Sequence, residues 1–297
     1  MILKKYQKAF SLVELSMVIL IIGILIAGVS QGIDLYGDFK LTSARNLTSG
    51  SIVARVPNLS MWWETTAENS FVNPKPNDGD LINQWNDINS QRAMKINLFN
   101  TSNSASRPAY KASAINNLPA LKFSNAQELR SADIKGDSFF SNNEITVFLV
   151  QNSVGGSTTT MSWIATTNNL DNGGEVAGER LNFHLPHNQR FYFDFGGRIE
   201  FYGSDSYNKK NTIFCFKRSE AEMIMRLNGQ QIVSNSAISV NIANSFIAPF
   251  IVGKLRTDGY YFNGLIGEII IYGNGLGNNE IQKIESYLSK KWGIKIN

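Results

Sequence analysis

Residues 15–33 contain no charged side chain, and residues 18–26 are almost entirely Ile, Leu and Val. A helix here is apolar around its whole circumference, which marks a membrane span or a fully buried helix. About 20 residues rising 1.5 Å each cross the ~30 Å hydrocarbon core of a bilayer. Residues 32–56 contain no proline and space Leu35, Phe39, Leu47 and Val53 among polar residues. The helix is therefore expected to run on for roughly 45 residues from Phe10, until Pro57, which cannot continue an i→i−4 ladder. From residue 58 onward the pattern changes to short apolar runs separated by Asn, Gly, Ser and Asp.

Those runs predict strands at 120–123, 144–150, 161–166, 180–184, 190–195, 212–217, 221–227, 231–234, 250–252 and 265–272. Their lengths and spacing suit a β-sandwich better than alternating β and α units. Asn228-Gly229 between two apolar runs predicts a two-residue hairpin, because both residues tolerate positive φ. Only the end of the chain is helical in pattern: Ile281, Ile284, Tyr287 and Leu288 recur at helical spacing between Glu280 and Trp292. Glu280 in its first turn and Lys290-Lys291 in its last complement the helix dipole, and Trp292 is expected to dock it on a sheet. The expected fold class is mainly β: a long N-terminal transmembrane helix, an antiparallel β-sandwich and a short C-terminal helix.

At 297 residues the chain has room for one large domain or two ordinary ones. The net charge of +4 includes Lys4, Lys5 and Lys8 at the extreme N-terminus, so the remainder is close to neutral. A nucleic-acid partner, which would need Lys and Arg clustered on one face, is not expected. Cys215 is the only cysteine and lies in an apolar run, so no internal disulfide holds the fold and a buried thiol is expected.

The lysines before the apolar run, with Asp34 and Asp38 after it, place the N-terminus in the cytoplasm. Glu14 interrupts the front of the run, within Phe10-Ser11-Leu12-Val13-Glu14-Leu15. A carboxylate at membrane depth is costly and usually has a partner. A cut before Phe10 would create an α-amino group four residues away, and that amine on a neighbouring copy could pair with Glu14. Two alternatives stay open. An ordinary secretory signal would be cut after the run, near Ala27-Gly28-Val29-Ser30. A plain anchor would not be cut. Neither uses Glu14.

The segment Lys8-Ala9-Phe10-Ser11-Leu12-Val13-Glu14-Leu15, followed by the Ile/Leu run, resembles the class III leader of type IV pilins and type II secretion pseudopilins. The resemblance implies that a prepilin peptidase cuts between Ala9 and Phe10 and methylates the Phe10 amine. It implies that Glu14 guides docking onto other pilin or pseudopilin subunits. Ala9 stands where the family usually has glycine. The expected organisation is a leader at 1–9, a pilin-like helix at 10–57 with its span at about 13–33, and a sandwich at 58–297. The expected location is the inner membrane, with one pass and a cytoplasmic N-terminus, and then a periplasmic or extracellular filament.

Met61-Trp62-Trp63, Gln84-Trp85-Asn86-Asp87 and Leu118-Pro119-Ala120-Leu121-Lys122-Phe123 follow one another in the order of bacterial laminin-G-like, concanavalin A-like domains. The closing Tyr261-Phe262-Asn263-Gly264-Leu265-Ile266-Gly267-Glu268-Ile269-Ile270-Ile271-Tyr272 and Tyr287-Leu288-Ser289-Lys290-Lys291-Trp292-Gly293 are similar to that family's last strand and helix. Gly277 departs from it, standing where a serine often caps the helix. The resemblance implies a jelly-roll sandwich and leaves the ligand open.

Glycosidase chemistry needs two carboxylates about 5–9.5 Å apart. Glu175-Val176-Ala177-Gly178-Glu179 lacks a central acid, and Glu268 is followed by three isoleucine-type residues with no acidic neighbour, so no enzyme activity is expected. Residues 168–179 have glycine sixth and glutamate twelfth, as in a calcium loop, but Leu170 occupies a ligand position. No cofactor is expected; Asn168, Asn172 and Glu179 are the donors calcium would use. His184 and His187 lack a supporting cysteine or carboxylate motif and are expected at the surface rather than on zinc. Trp163, Tyr192, Tyr207, Tyr260 and Tyr261 form the aromatic pool for a glycan or other surface ligand, although most aromatics of a sandwich fill its core. The expected function is a minor pilin or pilin-like subunit displaying a lectin-like sandwich for adhesion or ligand recognition. The alternatives are a pseudopilin of a secretion or DNA-uptake machine and a secreted or anchored carbohydrate-binding protein.

Overall fold

The computed structural model describes residues 11–73, 76–100, 102–124, 126–136, 139–140, 143–156, 158–164, 180–220, 222–236, 247–255 and 260–297. Helix α1 spans Leu12–Ser49. Ser11 caps it: its hydroxyl accepts from the Glu14 N–H at 3.2 Å, and the Glu14 carboxylate accepts from the Ser11 N–H at 2.9 Å. This reciprocal box satisfies two of the donors that a helix start leaves unpaired. The helix stops at Ser49, earlier than Pro57 would require. Gly50 follows with its N–H on Asn46, and Arg55 donates to the carbonyls of Gly50 and Ser51 from a short 3-10 turn at Val53–Arg55.

The described strands form two eight-stranded sheets, antiparallel at every pairing. In chain order they are β1 (Leu59–Glu64), β2 (Gln84–Trp85), β3 (Leu98–Phe99), β4 (Ala109–Ile115), β5 (Leu118–Phe123), β6 (Leu129–Lys135), β7 (Ile145–Ser153) and β8 (Met161–Ile164). There follow β9 (Arg180–His187), β10 (Arg190–Phe195), β11 (Arg198–Tyr202), β12 (Asn211–Arg218), β13 (Met223–Leu227), β14 (Gln230–Asn235), β15 (Ile247–Val252) and β16 (Gly264–Tyr272). Helix α2 spans Asn278–Trp292. Sheet A runs β14-β13-β12-β7-β16-β5-β4, and β1 pairs with the far half of β16. Sheet B runs β11-β10-β9-β8-β15-β6-β3-β2. The β13–β14 turn has φ of 48° at Asn228 and 81° at Gly229, as its sequence predicts.

Alternation along the strands sorts the side chains into layers. Trp63, Phe123, Trp163, Phe183, Phe193, Phe214, Phe216 and Phe250 fill the space between the sheets. The opposite face of sheet A carries a second core, where Phe148, Cys215, Ile270 and Tyr272 meet Ile281, Ile284, Leu288 and Trp292 of α2. Ala44 of α1, with Val53 and Val56, belongs to the same core. Gly277 begins α2 without a side-chain cap, and the Glu280 carboxylate supplies the acceptor for its N–H at 3.0 Å.

Candidate functional site

The first half of α1 is a bare apolar rod. Leu12–Val29 is long and apolar enough to cross a membrane, and none of it is buried. At 1.5 Å per residue it measures about 27 Å, close to a hydrocarbon core. The second half docks. Lys40 Nζ donates to the Asn116 carbonyl at 2.8 Å, and Arg45 Nε to the Thr66 carbonyl at 2.8 Å. Ala44 and Thr48 are buried against sheet A, and Thr48 Oγ1 lies 3.3 Å from the Tyr287 hydroxyl. A groove of about 710 Å³ separates the middle of α1 from β4 and β5, lined by Val29, Gly32, Tyr36, Tyr110 and Pro119. Leu35 and Phe39 are 73% and 69% exposed.

Beneath the docked end of α1 lies a sealed charge cluster. Glu64 of β1 pairs in register with Glu268 of β16, so their side chains share one face. Lys291 reaches in from α2, with Nζ 3.0 Å from Glu64 and 2.9 Å from Glu268. All three side chains are 0% exposed. Trp62 Nε1 and the Tyr287 hydroxyl donate to Glu268 Oε1 at 2.8 Å, and Trp292 Nε1 to Oε2 at 2.7 Å. One sequence expectation is corrected here. Glu268 has an acidic partner, supplied across the sheet by Glu64 rather than along its own strand. Lys291 lies in the last turn of α2, as expected, and its side chain turns into the core onto the two buried carboxylates.

The outer face of sheet B is polar, and its register arrays it in rows. Arg198, Asp194, Asn182, Ser162 and Ile251 stand side by side on five strands. The next row holds Glu200, Tyr192 and His184, and the next Tyr202, Arg190 and His187. Asp194 is fully buried and receives Arg198 through two bonds of 2.6 and 2.9 Å. Arg198 also lies 5.1 Å over the Tyr192 ring. His184 is 7% exposed, contrary to the surface position expected of it, because Thr159 and Asn182 hold its two ring nitrogens at 2.7 and 2.6 Å. Burial above all pulls its pKa down to about 4, with His187 and Arg198 adding to the fall and Asp194 opposing it. Both ring nitrogens of the His184 imidazole are thus engaged by neighbouring side chains.

His187 is half-buried, its ring 5.0 Å from His184 and 5.0 Å from Tyr260. Tyr192 stands 6.0 Å from both histidines. The face therefore gathers Tyr192 and Tyr260 from the aromatic pool with both histidines. Among the described residues, Asn182 Oδ1 and His187 Nδ1, both buried, have no hydrogen-bond partner. Trp163 is buried in the core, Tyr207 packs against it, and Tyr261 lies under Lys254. Sequence pattern alone missed the role of Asn182 and Asp194; their alternation with Leu181, Phe183, Phe193 and Phe195 is the signal that places them outward. The processing pair Ala9 and Phe10, the calcium donors Asn168, Asn172 and Glu179, and Pro74 lie outside the described residues.

Residues 4–30 match the prokaryotic N-terminal methylation motif. The chain therefore begins with the leader type found on prepilins, joined to a helix suited to membrane anchoring. No curated protein matches the chain at a significant level. Among solved structures, it is similar to domain 4 of an extracellular arabinanase from Geobacillus stearothermophilus in complex with arabinotriose. There the identity is 17% and the TM-score 0.47, covering 70% of this chain and 100% of that one. A Trypanosoma rangeli sialidase in complex with an inhibitor is 12% identical, with a TM-score of 0.49 over 76% of this chain and 32% of the other. The binding domain of Paraclostridial mosquitocidal protein 1 is 13% identical, with a TM-score of 0.49 over 78% and 52%.

Proposed function

We propose that the protein is a minor pilin or pilin-like subunit of a type IV filament system, carrying its sandwich as a recognition head. The observation that carries this is the methylation motif at residues 4–30, continued by an apolar helix whose first 18 residues the head leaves unburied. A helix with no apolar partner of its own must find one in lipid or in neighbouring helices. The prepilin peptidase would release Phe10 as the new N-terminus, and other pilin subunits would then cover α1. The outer face of sheet B, with Tyr192, Tyr260 and His187 at its surface, is where the head would meet a glycan or another surface ligand. Glu64 and Glu268, which face each other across β1 and β16, are sealed from solvent, which supports assembly and binding over glycoside hydrolysis at that pair.

The N-terminal residue of the exported protein tests the assignment, with Glu14 variants read alongside it. An N-methylated Phe10 is expected; an N-terminus near Gln31 would mean ordinary secretion and end the proposal. Glu14→Gln keeps the capping box with Ser11, since glutamine serves at N3, but removes the charge. Glu14→Ala removes both. If the charge guides docking, both variants leave the filament fraction. Filament entry by the Gln variant at the parent level would reduce Glu14 to a helix cap.

A further inference from the structure

A lysine near a helix end ordinarily runs its stem out to water. Lys291 instead ends between two carboxylates in an aromatic enclosure, with Nζ 5.6 Å from the Tyr287 ring centre and 5.4 Å from that of Trp292. One cation facing two carboxylates out of water is a costly arrangement. The two carboxyl groups differ in their donors. Glu64 Oε2 accepts from Thr66 N at 2.6 Å and Thr66 Oγ1 at 2.7 Å, and Oε1 from Ala67 N at 2.5 Å. Preorganised donors of that kind stabilise charge developing on a carboxyl oxygen under attack. Glu268 is held by two indoles and by the Tyr287 hydroxyl. Burial, reinforced by the two carboxylates, pushes that phenol well up, so it stays a donor.

We propose that Lys291 and Glu64 condense into an intramolecular isopeptide bond, with Glu268 as the proton carrier. A proton passes from the ammonium to Glu64 along their 3.0 Å hydrogen bond, leaving a neutral amine beside a neutral carboxylic acid. The Nζ lone pair attacks the Glu64 carboxyl carbon, and the carbonyl electron pair moves onto Oε1, which the Ala67 N–H holds, while Oε2 carries the transferred proton. Glu268 takes a proton from the new C–N nitrogen. It returns that proton to the departing hydroxyl, which leaves as water as the carbonyl re-forms. Ammonium and carboxylate become an amide and one water, and Glu268 ends as it began. Groups held at contact distance react as though at effective concentrations on the order of 10⁵–10⁸ M, which favours condensation over the reverse reaction with bulk water.

The product removes two buried charges. The amide carbonyl, Oε1 of Glu64, keeps the Ala67 N–H, the Thr66 donors are released with the departing Oε2, and the amide N–H is placed beside Glu268. A cleft of about 570 Å³, lined by Thr48, Trp62 and Ala67 among others, lies next to the cluster's neighbours. The bond would span 227 positions of the chain. It would tie β1, where the chain leaves the anchor helix, directly to α2 at the other end. Tension entering through α1 would then reach α2 through covalent bonds, in a chain whose single cysteine allows no internal disulfide.

The test is peptide mapping by mass spectrometry of the full chain purified in detergent, in parent and Glu268→Gln forms. The parent is expected to yield a branched peptide joining the Glu64 and Lys291 segments, lighter than the two together by one water. Glu268→Gln, which keeps the shape but cannot carry the proton, is expected to yield the two segments separately. Two unmodified segments from the parent, or water loss mapped elsewhere, would overturn the proposal whether or not the variant folds. A branched peptide in both forms would overturn the role of Glu268. None of these outcomes bears on filament assembly, which rests on residues 4–30.

Discussion

At the scale of single residues, His184 makes the head sensitive to acid. Its folded pKa of about 4 lies below its ordinary value of 6.5 because burial disfavours the imidazolium. Above pH 6.5 the ring is neutral folded or unfolded, and its packing counts in full. As the pH falls from 6.5 towards 4, the unfolded chain takes up the proton first, and stability is lost across that window; below it no further change arises here. At 1.36 kcal/mol per pH unit the loss approaches about 3 kcal/mol. Denaturant midpoints between pH 7 and pH 4 should fall more steeply for the parent than for His184→Gln. Parallel curves would mean that the ring is not buried neutral. The same residue shows what a sequence conceals: His184-Leu185-Pro186-His187 has the look of a polar turn, and only pairing with Tyr192 and cover from Thr159 bring one histidine inside.

At the scale of elements, legibility followed local pattern. The strand at 190–195 and the Asn228-Gly229 hairpin were readable because alternation and turn chemistry act within a few residues. The strands at Ala109–Ile115, Leu129–Lys135 and Arg198–Tyr202 were not, since polar outward-facing residues such as Lys111, Asp133 and Glu200 dilute their apolar content. The end of α1 was misplaced by the same logic: proline is a loud stop signal, whereas Gly50 with a capping Arg55 is a quiet one. Gly267 shows an element-level constraint that no pattern displays. It sits at a register shift in β16, and a Cβ there would lie 2.5 Å from the Trp292 ring. That ring cannot swing aside, because its Nε1 is fixed on Glu268. Gly267→Ala should therefore lower stability by about 1–3 kcal/mol, read as a shift in the unfolding midpoint at constant slope. An unchanged midpoint would show that α2 is free to slide on sheet A.

At the scale of the whole molecule, anchor and head share one core. The apolar pattern divides the chain at residue 58, where strand-like runs begin, but packing reaches back further. Ala44, Val53 and Val56 are 4% exposed or less in the core under α2. The Tyr272 hydroxyl donates to the Val53 carbonyl at 2.8 Å, and Gln91 donates to the carbonyl of Val56. These contacts join residues far apart in the chain, which is why periodicity along it gives no hint of them. Two truncations separate the apolar rod from the shared core. A chain starting at Lys40 loses Leu12–Val29 and the exposed Leu35 and Phe39, yet keeps every one of these contacts; it should be soluble without detergent and hold the parent's unfolding midpoint. A chain starting at Asn58 loses two buried valines, each contributing about 1.5–3 kcal/mol, and bares Tyr272 and Tyr287. Its unfolding free energy should fall by several kcal/mol, read as a lower midpoint, and it should bind hydrophobic dye where the longer chain does not. Equal midpoints for the two chains would mean that α1 merely rests on the head, and a filament could then not transmit force to the sandwich through that joint.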